Sequence, residues 1–190
     1  MSLFKSAYTR WSLIVIILVF MSGSTSTASE KRLGAWALPP NIEVCDDAPV
    51  QVDDLIVGTY WWASIGYKFG KISAAGDACK TGNVGGTIII RGMPKSKSHI
   101  ATTHFLVDDT GAVGWAKIYL PEIVLERVLE HELGHALGWE HINQDKHIMH
   151  SDYAKGGWND SGVQLVERPT TDTLQSFPGA AAPRRGGLRD

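Results

Sequence analysis

Residues 131–141, HELGHALGWEH, constrain the fold more than any other stretch of the chain. His131 and His135 can act together if they lie on a helix, where positions i and i+4 share a face. Gly138 then suits a helix stop, because glycine accepts the left-handed backbone that ends helices. A turn there lets His141 return toward the first two imidazoles from outside the helix. Three imidazoles gathered in this way leave one coordination position of a tetrahedral metal ion open, the arrangement of catalytic rather than structural centres. Glu132 is displaced by about 100° around the helix from His131. It is poorly placed to be a further ligand but can reach water at the metal, which makes it the candidate general base. With 7 His and 20 Gly in 190 residues, a chance match to this pattern has a probability of about 10⁻⁵–10⁻⁴.

The elements around the motif alternate between helix and strand signals. VDDLIVGTYWWASI (52–65) is apolar on one helical face, with Asp53 and Asp54 in the first turn, where the helix dipole favours carboxylates. Strands are expected at 67–72, 87–91, 102–107 and 112–120, the last two joined by a turn at Asp108–Gly111. The Gly-rich TGNVGG (81–86) reads as a turn, since no P-loop Lys-Ser/Thr follows it. Pro121 suits the first position of a helix that would run into the histidine motif. His147 and His150 flank Met149, and His150 reads as a surface residue, with a substitute ligand or a substrate contact as the alternative.

Residues 1–28 have the pattern of a signal peptide. Lys5 and Arg10 precede an uncharged apolar run of 11 residues, Trp11–Met21, and a small polar stretch follows with cleavage expected after Ala28. A membrane span would need about 20 such residues, so no membrane anchor is expected after cleavage. Loss of Lys5 and Arg10 leaves 16 Lys+Arg against 20 Asp+Glu, an acidic balance that argues against nucleic acid as a partner. Residues 29–50 read as an extended N-terminal segment, 51–165 as the folded domain and 166–190 as a disordered tail rich in Pro, Gly, Ala and Arg. The only two cysteines, Cys45 and Cys79, suggest one disulfide in a secreted or periplasmic protein. A free Cys45 capping the metal is the alternative.

The stretch HELGHALGWEH resembles the metzincin signature H-E-x-x-H-x-x-G-x-x-H. That superfamily also carries a methionine in a turn beneath the metal. Here Met149 follows His141 by eight residues, an interval similar to that of the matrixin branch. The resemblance extends over roughly 52–153. It departs from matrixins in having no proline soon after Met149, and from astacin-like and serralysin-like members in having Ser151 rather than tyrosine two residues after it.

What the resemblance implies is an α+β catalytic domain, a small mixed twisted sheet packed on helices, with the metal-binding helix ending in a glycine turn. It further implies a zinc-dependent endopeptidase with His131, His135 and His141 as zinc ligands, Glu132 as catalytic base, Met149 in the Met-turn and a protein or peptide as substrate. Tyr153 is a candidate for transition-state support. His99 and His104, with Asp108 and Asp109, would permit a second, structural metal, although acidic residues are common in turns. Two other functions fit the same motif. A catalytically inactive binding module on this scaffold would be expected to lose the base or a ligand, and all four residues are present. A hydrolase of non-protein amides would keep them.

Overall fold

The computed structural model describes residues 32–94 and 101–165. The expected signal peptide, the tail beyond 165 and His99 lie outside the described residues.

Five strands form one mixed sheet in the order β2-β1-β3-β5-β4. They are β1 (Asn41–Val44), β2 (Ile72–Ala74), β3 (Thr87–Gly92), β4 (Thr102–Val107) and β5 (Val113–Leu120). β1, β2, β3 and β5 run parallel, and β4 lies antiparallel to β5 at the edge. Three helices accompany them: α1 (Val52–Ser64), α2 (Asp77–Thr81) and α3 (Val128–Ala136). None of the helices among the described residues is long and apolar enough to cross a membrane.

The sheet is buried on both faces at its centre. Ile88, Ile89 and Ile90 of β3 are wholly inaccessible, which is what a continuous β-branched run in a parallel strand leads one to expect. Their alternation divides the core. Ile88 and Ile90 join Ile42, Val44, Ala116, Ile118 and Leu120 beneath α1 and α3, whereas Ile89 joins Cys45 and Ala78 on the opposite face. α1 turns Leu55, Thr59 and Trp62 inward. It meets α3 closely, since the Trp62 indole N–H donates to the Glu130 carbonyl at 2.8 Å.

Three expectations need correction. The strand expected at 67–72 forms instead at Ile72–Ala74. Tyr67 is used in the core, its hydroxyl donating to the Val163 carbonyl at 2.8 Å and accepting from the Trp139 indole at 2.6 Å. Asn41–Val44, within the stretch read as a lead-in, pairs with both β2 and β3 and so lies inside the sheet. The helix expected from Pro121 begins only at Val128. Arg127 has φ +70°, a left-handed backbone through which an α-helix cannot run. Residues 121–127 instead form a loop beside the cleft described below.

Cys45, just after β1, is joined to Cys79 of α2, so Cys45 is not a thiol capping the metal. The Glu43 carboxylate also holds α2, accepting from the amides of Ala78 at 2.8 Å and Cys79 at 3.3 Å. The bridge spans 34 residues, and closing a loop of that size in the unfolded chain stabilises by about 3–4 kcal/mol on chain entropy. Cys45→Ser combined with Cys79→Ser should lower the denaturant midpoint by a corresponding amount. An unchanged midpoint, or a thiol in the native protein open to alkylation, would contradict the bridge.

Candidate metal centre

α3 carries the first two histidines on one face and its core residues Leu129, Leu133 and Ala136 on another. The helix closes as a glycine turn in which the Trp139 amide donates to the Gly134 carbonyl and the Gly138 amide to that of His135, at 3.1 and 2.8 Å. Both bonds satisfy carbonyls that a helix end leaves open. Gly138 has φ +94°, and a Cβ there would overlap the Gly34 backbone. Any other residue is excluded twice over. The chain then reverses and brings His141 back to the helix.

His131, His135 and His141 form one group with ligand atoms all within 4.8 Å of one another. The Nε2 of His135 lies 3.1 Å from that of His131 and 3.2 Å from that of His141. Nδ1 of His131 donates to the Ile148 carbonyl and Nδ1 of His135 to the Trp139 carbonyl, both at 2.7 Å. A carbonyl only accepts, so in the neutral imidazoles the proton is on Nδ1 and the Nε2 lone pairs face one another. Burial favours that neutral form. It pushes His135 down to about 4 and lowers His131 and His141 as well, with the neighbouring imidazoles adding to it.

Lone pairs facing each other at such distances repel unless a cation lies between them. Nitrogens 2.0–2.1 Å from a tetrahedral ion sit about 3.3 Å apart, close to the two spacings found. The donor set therefore fits a divalent metal of the zinc type, with carbonyls fixing the orientation of two ligands.

Met149 is fully buried and packs against α3 at Gly134. A Cβ on Gly134 would overlap the Met149 sulfur and meet Trp62 Cζ2 at 2.7 Å. The glycine between the two helical histidines thus lets the methionine pack against the helix backbone.

Glu132 is 5% exposed. Burial pushes its carboxyl up to about 7, opposed by a hydrogen bond from Thr103. Thr103 Oγ1 lies 2.5 Å from Glu132 Oε2. A cation seated on the three imidazoles would favour the carboxylate further.

These groups border a cleft of about 580 Å³, lined also by Phe105, Ile123, Leu125, Val128 and Ile148. Tyr153 reaches it too, and its ring carries the Arg127 guanidinium, with Cζ 4.7 Å from the centroid. His150 corrects the surface reading. His147 is wholly buried, its Nδ1 accepting from the Met149 amide at 2.9 Å, and His150 is 8% exposed and lines the cleft. Asp108 serves its turn, accepting from the amides of Thr110 and Ala112 and from the Thr110 hydroxyl. His104 stacks edge-on to Tyr119, and the only group of three possible metal ligands among the described residues is the histidine triad.

Thr103 has no signature in the sequence. Strand alternation puts it on the same side as Phe105, but its reach to Glu132 depends on how β4 lies over α3.

A comparison with curated proteins finds no match. The matrixin family model matches residues 49–168, an interval that contains α1, the triad, Glu132 and Met149. With that match over most of the chain and a triad of the same spacing in place, the protein belongs to the matrixin family of metallopeptidases.

Proposed function

We propose that the protein is an exported zinc endopeptidase in which His131, His135 and His141 hold the metal and Glu132 is the general base. The observation that carries this reading is the convergence of three imidazole nitrogens beside a buried carboxylate at the wall of a cleft. Export draws support from the leader-like residues 1–28 and from the Cys45–Cys79 bridge, which suits an oxidising compartment.

When bound, zinc supplies Lewis acidity that acidifies water and polarises a carbonyl. The chain's own residues do the rest. Thr103 donates to Oε2 of Glu132, which fixes the carboxylate and leaves Oε1 to take a proton from the attacking water. Glu132 then passes that proton to the leaving amine. The carbonyls of Ile148 and Trp139 hold His131 and His135 in the tautomer that keeps Nε2 aprotic. Among the described residues β4 pairs with β5 on one side only, so its other edge can take an extended peptide as an added strand. β5, the other strand considered for that role, is internal, between β3 and β4. The stacking of Tyr153 on Arg127 favours a wall-forming role for that ring over transition-state support.

Metal analysis and a peptide-library digest of residues 29–190 test this reading. One equivalent of zinc is expected, with hydrolysis lost on chelation and restored by zinc. Hydrolysis that survives removal of the metal would contradict it.

A further inference from the structure

The cleft is mostly apolar, yet it contains one guanidinium. Arg127 lies half-buried in its wall. Apart from its stacking on the Tyr153 ring, the Arg127 side chain makes one long hydrogen bond among the described residues, from Nη2 to the Tyr153 carbonyl at 3.5 Å. Among the described residues the ion pairs are Lys80–Asp77 and Arg91–Asp47, and no carboxylate pairs with Arg127. Glu130, one turn along, feels it only weakly, since burial raises that carboxyl and Arg127 is the smallest contribution to its shift.

Its backbone is a second, independent sign. Among the described residues Arg127 is one of three non-glycine residues with positive φ, at +70°, immediately before α3. Glycine or asparagine would hold that conformation at less cost. Strain of this kind concentrates where a side chain has a task other than packing. A guanidinium offers a planar fork of donors suited to a carboxylate. In a cleft whose walls also include Ile123, Leu125, Val128 and Ile148, solvent screens such a pair less than at an open surface.

We propose that Arg127 receives a substrate carboxylate, so that this cleft selects peptides presenting an acidic group close to the cleaved bond. The inference rests on the peptidase reading above and adds the chemical class of substrate. The carboxylate could come from a Glu or Asp side chain or from a free C-terminus. The structure favours neither, because both would present the same two oxygens to the guanidinium.

The test uses zinc-loaded protein and two sets of quenched peptides. In the first, with blocked termini, one residue near the cleaved bond, on either side in turn, is Glu, Gln, Leu or Lys. In the second, side chains are neutral and the nearby C-terminus is either free or amidated. The wild type should prefer the carboxylate member of at least one set by about 10–100-fold in kcat/KM, the range expected of a charge-assisted bidentate contact. Arg127→Met should bring that ratio to near unity, Arg127→Lys should retain part of it, and Arg127→Glu should favour the Lys peptide. Each ratio compares substrates on one preparation, so partial misfolding of a variant cancels. Indifference of the wild type to the carboxylate in both sets would overturn the inference, as would a preference that survives Arg127→Met, because the arginine would then only wall the cleft. In either case cleavage itself would leave the peptidase reading standing. Absence of any peptide cleavage by the zinc-loaded protein would overturn both.

Discussion

Replacing Glu132 by glutamine should lower peptide hydrolysis by about 10²–10⁴-fold, the usual contribution of a positioned general base, with the metal retained near one equivalent. Glutamine has the same length and still offers a carbonyl oxygen to the Thr103 hydroxyl, which lies 2.5 Å from Oε2 in the native protein. It also removes a carboxylate that burial disfavours, so the variant should fold at least as well as the parent. What it cannot do is take a proton from water. Titration of metal into the variant should therefore resemble that of the parent, while steady-state turnover falls. Near-native turnover would mean that proton transfer runs through another group.

His141→Ala should act on a different quantity. His141 is the most exposed of the three candidate ligands and comes from the loop after the glycine turn, not from α3. The turn depends on Gly138 and on backbone bonds to Gly134 and His135, none of which involves the His141 side chain. The metal-free fold should thus survive the substitution. Removing one of three protein ligands should weaken metal affinity by more than the 10–100-fold typical of losing an outer partner of a ligand, and turnover should fall with metal occupancy. The parent should gain thermal stability when zinc is added, because the ion binds only the folded chain. The variant should show much less of that gain at the same zinc concentration.

The helix-plus-turn geometry of residues 131–141 was legible in the sequence because its determinants are local. Four-residue spacing puts two imidazoles on one face, and Gly138 ends the helix through its own backbone freedom. α1, β3, β4 and β5 were legible for the same reason, each carrying its period over several residues. Features that depend on contacts distant in sequence were not. β1 is four residues long between prolines, and what makes it a strand is its pairing with β2 and β3. The five residues of α2 are held by Cys79 and by Glu43 from another element. Pro121 carried a true helix-start signal that the backbone of Arg127 overrides. His150 looked solvent-facing because polar residues surround it, and it is buried because the loop around Met149 folds in against α3. Thr103 and Arg127 enter the site only through tertiary placement.

The most direct test of the account is to measure zinc content and peptide turnover together on wild type, Glu132→Gln and His141→Ala prepared in parallel. The account predicts one equivalent and full turnover for the first, one equivalent with turnover down by about 10²–10⁴-fold for the second, and loss of both for the third. Loss of zinc from Glu132→Gln to the extent seen in His141→Ala would contradict it, since the carboxylate would then be a ligand and not the base.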